Sequence, residues 1–261
     1  FFFNDTATTE IYTLSLHDAF RSYINSNVNQ RLNLVYKGQV SYDEGTNPDF
    51  GTVLDRLTNK ADGYIDNVHS LRDTYNADLV SLLVEGSQYC GIAWLMSSPS
   101  VSFESNGFSV VAQSCATGYY SFAHELGHNM GSRHDTYVDS NNTPYPYSHG
   151  YTYPTANWRT IMAYNNACTA VGKNCTRLQY WSNPDVAYGG VAMGNASTAD
   201  NHASLNNTSA IVAAFRVSPG FNKSSPSNGA VAQPVTLSFS WGTSAGATRY
   251  ELCYDTTNDS A

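Results

Sequence analysis

Positive charge is scarce in this chain. Only 13 of its 261 residues are lysine or arginine, against 21 aspartate or glutamate, and the formal net charge is −8. Binding to nucleic acid or to an anionic membrane surface depends on clustered lysine and arginine. The composition therefore argues against both kinds of partner. A run of about eighteen apolar residues, which a membrane-spanning helix needs, is also absent from the sequence.

Cysteine is rare as well, and its spacing is not that of a metal site. None of the five cysteines belongs to a CxxC pair. Cys168 and Cys175 flank a short loop that a disulfide would close, and Cys90 and Cys115 bracket a predicted strand–loop–strand unit as a second candidate pair. Two such bridges would indicate an oxidising compartment, whereas buried free thiols are the alternative. Cys253 is left without a predicted partner in this chain.

One short stretch, by contrast, is rich in histidine. Residues 124–135 read HELGHNMGSRHD and contain HExxHxxGxxH, which would arise by chance in roughly one chain of this length in ten thousand. His124 and His128 lie four residues apart, so both imidazoles can reach one ion from the same helical face. Gly131 lets the backbone turn away from the helix, so that His134 can return as a third ligand.

This arrangement predicts a catalytic zinc ion. Three neutral imidazoles leave the fourth position of a tetrahedral zinc open, which distinguishes catalytic from structural sites. Zinc lowers the pKa of a bound water to about 7, and Glu125 can accept that proton and pass it to a leaving amine. We therefore expect amide hydrolysis. A solvated helix is the alternative for the motif, and the lone histidines His69, His149 and His202 are expected to be structural or exposed.

The apolar pattern predicts an α/β fold in which the motif helix follows a sheet. The predicted order is strand, helix, strand, strand, strand and motif helix, at residues 31–42, 50–75, 77–86, 91–99, 107–115 and 119–130. The helix over 50–75 is expected to break near Gly63, and the continuous apolar run at 77–86 is typical of a sheet interior. A closing helix is predicted at 199–217.

HELGHNMGSRHD resembles the zinc signature of the metzincin metalloproteases. Asp135 directly follows the third histidine, and in this the motif resembles that of the reprolysin-like branch. RTIMAY (159–164) resembles the Met-turn, which implies that Met162 lies beneath the zinc ligands. Tyr164 matches a position at which astacin-like and serralysin-like relatives have a tyrosine that can approach the zinc, although reprolysins usually have proline there. A transition-state or fifth-ligand contact is thus implied for Tyr164, with simple core packing as the alternative.

The segments YYSFAHELGHNMG, WRTIMAY and YWSNPDV are together most similar to secreted bacterial reprolysin-like enzymes, including peptidyl-Asp metallopeptidases. The resemblance covers about residues 23–217 and implies a secreted, monomeric endopeptidase with one catalytic Zn2+ and polypeptide substrates. It implies a mixed twisted sheet, an active-site helix and an irregular lower lobe, which Asp135 would brace by hydrogen bonds. Nothing in the sequence indicates a structural Ca2+, although such a domain is compatible with one.

Two further expectations concern the substrate. Cleavage before acidic residues would require a cationic pocket for the residue after the cut, and Arg159 and Arg177 are candidates for it. The resemblance also implies that the strand at 107–113 is the sheet edge, where unpaired N–H and C=O groups can bind an extended peptide. The alternative functions are a non-catalytic zinc-bearing adhesion protein and a metallohydrolase that acts on something other than protein. Glu125 favours the enzyme, because catalysis requires this carboxylate and a scaffold does not.

The two ends of the chain differ from this domain. Residues 1–22 are predicted to be non-native, because Asn4–Ala19 match the translation of a short-read sequencing adapter. We therefore expect the strand and the helix that open such a domain to be missing. Residues 218–230 have the composition of a Ser/Pro/Gly linker. Residues 231–261 resemble the start of a β-sandwich module of the fibronectin type III or immunoglobulin-like kind.

Overall fold

A computed structural model describes residues 2–3, 9–45, 48–86, 88–216, 223–226, 236 and 238–241. The chain divides into two units, Phe1–Arg216 and Val217–Ala261. The described part of the second unit contains two short antiparallel strands, Lys223–Ser225 and Ser240–Trp241. Most of the predicted sandwich module at 231–261, and Cys253 with it, lies outside the described residues.

A mixed sheet is the centre of the first unit, as the sequence predicted. Its strands are β1 (Phe2–Phe3), β2 (Gly38–Gln39), β3 (Val80–Val84), β4 (Gly91–Ala93) and β5 (Phe108–Ala112). The order across the sheet is β2-β1-β3-β5-β4, with β4 antiparallel to β5 and the other neighbours parallel. Only two residues of the strand predicted over 31–42 join this ladder.

Helices pack on both faces of the sheet. In chain order they are α1 (Thr9–Asn25), α2 (Phe50–Thr58), α3 (Asn67–Thr74), α4 (Gln113–Ala116), α5 (Ser121–Asn129), α6 (Asn166–Thr169) and α7 (Asn201–Val212). The predicted helix over 50–75 is thus divided into α2 and α3, and Gly63 has a φ of +87° in the break between them. No helix in the described part of the chain is both long and apolar enough to cross a membrane.

Alternate side chains of the central strands fill two separate cores. Leu83 and Val111 pack in the core that contains α5, whereas Leu82 and Val110 pack in the core that contains α2. Every residue of β3 and β5 is buried, because both faces of these strands are covered. The sheet therefore provides a rigid support on which α5 lies.

Helix α1 crosses the boundary of the segment that was predicted to be non-native. Tyr23 packs edge-to-face on Trp181, with 5.5 Å between ring centroids, and the Ser22 hydroxyl accepts the indole N–H of Trp181 at 2.9 Å. Asp18, inside that segment, accepts the Gly118 N–H at 3.1 Å. The described residues thus include a strand and a helix where we expected both to be missing. The non-native origin of residues 1–22 stays a prediction.

Between α5 and α7 the chain forms short elements. A small sheet contains β6 (Thr152–Tyr153), β7 (Trp158–Arg159) and β8 (Thr176–Arg177), and a hairpin contains β9 (Ala187–Tyr188) and β10 (Val191–Ala192). Two short 3-10 helices lie at Val101–Asn106 and Pro154–Ala156. Both predicted disulfides, Cys90–Cys115 and Cys168–Cys175, are formed. The second closes the loop that precedes β8.

Leu83→Ala is expected to lower the free energy of unfolding by about 2–5 kcal/mol, because it leaves a cavity in the core between the sheet and α5. The Leu83 side chain is fully buried, whereas that of Val171 is 60% exposed. Denaturant titration followed by circular dichroism measures the change, and the control Val171→Ala should alter it by less than about 0.5 kcal/mol. Equal stabilities of the two variants would contradict the central position of β3.

Candidate metal centre

Helix α5 carries the first two histidines of the motif and is bonded to the sheet at its end. The Asn129 side-chain amide donates to the carbonyls of Trp94, at 2.8 Å, and Phe108, at 3.1 Å. The Met96 N–H donates to the His128 carbonyl at 3.0 Å. These bonds join α5 to β5 and to the chain that follows β4. The orientation of the helix, and hence of its histidines, is set by the sheet.

The turn after α5 requires glycine. Gly131 has a φ of +85°, and a Cβ there would lie 2.9 Å from Pro144 Cγ. The Ser132 N–H donates to the Gly127 carbonyl at 2.8 Å and the Gly131 N–H donates to the His128 carbonyl at 3.0 Å, which together form a Schellman motif. The chain therefore reverses within one turn and returns toward the helix.

The three motif histidines meet at one point. The Nε2 atom of His134 lies 3.1 Å from that of His124 and 3.1 Å from that of His128, and all three ligand atoms lie within 4.8 Å of one another. The Nδ1 atoms of His124 and His128 lie 2.9 Å and 2.8 Å from the carbonyls of Ile161 and Ser132. Because a carbonyl only accepts, each of these Nδ1 atoms carries the proton and each Nε2 presents a lone pair. This donor set fits a divalent metal ion.

Burial keeps these imidazoles neutral, which is the form that binds metals. Loss of hydration lowers the pKa of His128 to about 4 and that of His134 to about 3, and it holds the pKa of His124 well below its usual range. Burial also raises the pKa of Glu125 to about 8, although the Arg177 guanidinium opposes the shift. A cation at the centre would favour the ionised carboxylate again.

The segment around Met162 lies against the same helix. The buried Met162 Sδ lies 3.0 Å from the position that a Cβ on Gly127 would occupy. Asp135 accepts the Tyr164 N–H at 2.7 Å. This bond joins the chain after the third histidine to the chain after Met162. The Tyr164 ring lies 4.1 Å from the His134 ring, measured between centroids.

Sequence reasoning expected His149 to be structural or exposed, with a position in the lining of the cleft as the alternative, and the structure places it in a structural contact beside the third histidine. Its side chain is fully buried, and its Nδ1 lies 2.7 Å from the His134 carbonyl. It therefore supports the backbone of the third histidine of the motif. The other lone histidines lie elsewhere, with His69 against the Phe108 ring and His202 beside Asp200. A single histidine in an irregular stretch has no spacing from which this contact could have been predicted.

A cleft of about 280 Å³ opens beside Glu125. Its walls come from the chain around β4, from α5 and the residue Tyr119 before it, from the chain after Met162 and from the small sheet: Tyr89, Cys90, Gly91, Tyr119, Ser121, His124, Glu125, Arg159, Tyr164, Asn165, Asn166 and Arg177. Gly91 allows β4 to approach the helix, because a Cβ there would lie 2.5 Å from Glu125 Oε1. The arginines that sequence analysis named as candidates without a location, Arg159 and Arg177, both lie in this cleft.

The edge of the sheet is β4, and the prediction that residues 107–113 form the edge is wrong. Strand β5 pairs with β3 on one side and with β4 on the other. The outward side of β4 makes no strand pair with any described residue, and β4 borders the cleft at Gly91. The antiparallel return of residues 91–93 is a non-local pairing, which the alternation of apolar residues does not encode.

Comparisons with known proteins agree with this geometry. A family model of the reprolysin type, described as metallo-peptidase family M12, matches residues 2–182. The chain is 48% identical over 206 residues to the peptidyl-Asp metalloendopeptidase of Stenotrophomonas maltophilia strain K279a and 47% identical over 203 residues to that of Xanthomonas campestris pv. campestris. Each alignment covers 78% of this chain but only 47% and 46% of those proteins, so the chain spans about half of their length.

A more distant relative and a solved structure extend the comparison. The peptidyl-Asp metalloendopeptidase of Pseudomonas aeruginosa PAO1 is 31% identical over 240 residues, covering 78% of this chain and 37% of its own length. A solved structure described as "Structure of a chaperone-substrate complex" has a TM-score of 0.55 at 20% identity, and the match covers 78% of this chain and 31% of that one. At this identity the match supports the fold alone.

Gly131→Ala is expected to lower the affinity for added Zn2+ by roughly 10- to 100-fold, because it displaces the turn that returns His134 to the helix. Gly172→Ala is the matched control. Both glycines have positive φ, at +85° and +72°, but a Cβ at 172 would meet nothing within 4 Å. Competition with a chromophoric chelator measures the affinities. A loss of similar size in both variants would show that backbone strain, rather than the turn to His134, is responsible.

Proposed function

This chain belongs to metallopeptidase family M12, and on that basis we propose that it is a zinc-dependent endopeptidase. The observation that carries the proposal is the meeting of three imidazole nitrogens beside a buried carboxylate at the wall of a cleft. The name shared by relatives at 47–48% identity, peptidyl-Asp metalloendopeptidase, supports cleavage beside an acidic residue. Polypeptides are the substrates.

His124, His128 and His134 would hold the zinc through their Nε2 atoms. Bound zinc supplies Lewis acidity, which polarises the scissile carbonyl and activates water near neutral pH. The Glu125 carboxylate accepts the proton of the attacking water and then delivers it to the leaving amine nitrogen. Because this carboxylate is only 4% exposed, the proton it holds between the two transfers is shielded from bulk solvent.

Neighbouring residues support this chemistry in our proposal. Met162 provides the apolar floor beneath the ligands. Gly131 forms the turn that brings His134 back, and Asp135 holds the chain after Met162 beside it. Tyr164 contacts the transition state from the cleft wall. Its position beside the His134 ring and its 39% exposure favour this role over core packing.

We propose that an extended substrate pairs with the outward side of β4. An open strand edge presents unpaired N–H and C=O groups, which bind a peptide backbone independently of its side chains. The close approach of Gly91 to Glu125 supports this binding mode, because a peptide bonded along β4 would pass the carboxylate. Recognition through the peptide backbone suits an endopeptidase that acts on unfolded chains.

We propose further that the enzyme is secreted and acts as a monomer. Its two disulfides are typical of proteins that fold in an oxidising compartment.

Glu125→Gln is expected to lower proteolysis by roughly 100- to 10,000-fold, because an amide cannot accept the proton of the attacking water. Parent and variant are incubated with zinc and an unfolded protein mixture, and new termini are mapped by mass spectrometry. Glu44→Gln, the same change at a residue that only accepts the Glu85 N–H, is the control and should cut like the parent. A chelator should abolish the activity of both active proteins.

The same experiment decides between the enzyme and the non-catalytic adhesion protein. If the parent and Glu125→Gln are equally inactive while both fold and bind one zinc ion, the protease function is contradicted. The zinc-bearing domain would then serve as a scaffold.

His128→Gln is expected to remove the stabilisation that zinc gives to the metal-free protein. A ligand at one hundred times its Kd stabilises the folded state by about 2.7 kcal/mol, so the melting temperature of the parent should rise with added zinc. His202→Gln is the control, since His202 lies on α7, beside Asp200 and outside the cleft. Differential scanning fluorimetry and the zinc content after dialysis measure the effect. An undiminished rise in His128→Gln would argue against this ligand set.

A further inference from the structure

Two arginines occupy directly opposite positions on neighbouring strands of the small sheet. Strands β7 and β8 run parallel, and Arg159 is the register partner of Arg177. Side chains at paired positions point to the same face of a sheet, where like charges repel one another. An arrangement that opposes folding in this way is expected where the charge serves binding.

Arg159 is held in place without being neutralised. Its Nε donates to the Cys175 carbonyl at 3.1 Å, its Nη1 donates to the Ala163 carbonyl, and its Nη2 donates to the Tyr119 hydroxyl at 3.1 Å. All three acceptors are uncharged. Among the described residues no carboxylate lies within ion-pair distance of this guanidinium, although the charge of Asp135 acts on it from further away.

Arg177 keeps one edge of its guanidinium unpaired. Its Nη1 donates to the Tyr119 carbonyl at 3.1 Å, and its guanidinium carbon lies 4.5 Å from the centroid of the Tyr119 ring. Its Nε is buried without a hydrogen-bond partner, and Nη2 bonds to none of the described residues. The Nε–H and Nη2–H groups point in parallel along one edge, the pair that binds a carboxylate through two hydrogen bonds. A carboxylate ligand would satisfy the buried donor.

The electrostatic surroundings favour an anion at this edge. Burial, followed by the charge of Arg159, lowers the pKa of Arg177 to about 10, so the guanidinium remains charged at neutral pH. Glu125 acts on Arg177 through its charge but forms no ion pair with it. The positive charge in the cleft therefore exceeds the negative charge that the chain itself supplies there.

We propose that Arg177, backed by Arg159 and Tyr119, binds the side-chain carboxylate of the residue that follows the scissile bond and thereby selects aspartate at that position. Glu125 lines the same cleft and delivers its proton to the leaving amine. The residue that bears this amine is the one after the cut, so its side chain enters the cleft next to Glu125. This inference rests on the proposed endopeptidase function and names the residue that sets its specificity.

The position of Arg177 is well fixed for such a task. Cys175, two residues earlier, is cross-linked to Cys168, and its N–H donates to Asn165 Oδ1 at 2.8 Å. A guanidinium on a constrained strand loses little conformational entropy when it binds a carboxylate, which favours selectivity.

The test uses four peptides that differ only in the residue after the cut, which is Asp, Asn, Glu or Leu. The parent is expected to cleave the Asp peptide with a kcat/KM roughly 10- to 150-fold above that of the isosteric but uncharged Asn peptide. Arg177→Met should bring this ratio close to one, and Arg177→Lys should retain part of it. Arg56→Met is the matched control, because Arg56 also lies over a tyrosine ring, that of Tyr64, but outside the cleft. It should keep the parent's ratio.

A binding measurement makes the test independent of turnover. Product-like peptides that begin with Asp or Asn are titrated by calorimetry into zinc-loaded Glu125→Gln and into the double variant that also carries Arg177→Met. The first protein should prefer Asp and the second should not. The proposal is overturned if the parent's ratio is one or if Arg177→Met keeps the parent's ratio. It is also overturned if Arg177→Met lowers kcat/KM equally for all four peptides, because Arg177 would then be a structural residue.

Failure of the endopeptidase function gives a different result. In that case the parent cuts none of the four peptides. Calorimetry, by comparing the Asp and Asn peptides, then decides by itself whether the pocket binds a carboxylate. A preference there supports the pocket without the protease, and its absence overturns the proposed pocket as well.

Discussion

Three imidazole nitrogens with their lone pairs directed at one point repel each other unless a cation lies between them, and the rest of this domain maintains that arrangement. The protons of His124 and His128 are held on Nδ1 by the carbonyls of Ile161 and Ser132, so neither ring can turn to relieve the repulsion. The first carbonyl belongs to the Met162 segment and the second to the turn at Gly131. The sheet, the turn at Gly131 and the Met162 segment must therefore all be folded before the three nitrogens can meet.

Local patterns in the sequence predicted the parts of this site that depend on local geometry. The spacing of His124 and His128, the turn at Gly131 and the break at Gly63 each follow from the conformation of a few adjacent residues. The edge position of β4 and the opposition of Arg159 and Arg177 depend on strand pairing between distant segments. Apolar alternation does not specify which strands become neighbours, so sequence reasoning misplaced the edge strand and could name the arginines without locating them.

Stability and function make opposite demands in the cleft. A buried guanidinium with an unpaired donor and a like-charged neighbour is unfavourable for folding, and so is a glutamate whose burial raises its pKa to about 8. The chain offsets these features with apolar packing on both faces of β3 and β5. These groups line the cleft, where substrate and metal would supply the missing partners.

Each of the two disulfides lies next to a strand that contributes to the wall of the cleft. Cys90 directly precedes Gly91 of β4, and Cys175 lies two residues before Arg177 on β8, whereas the three histidines are on α5 and its following turn. Each bridge fixes the chain at the start of one of these strands, whereas the position of the histidines depends on the bonds between α5 and the sheet. The walls of the cleft are thus secured by covalent bonds, whereas the candidate metal centre between them is secured by hydrogen bonds and packing.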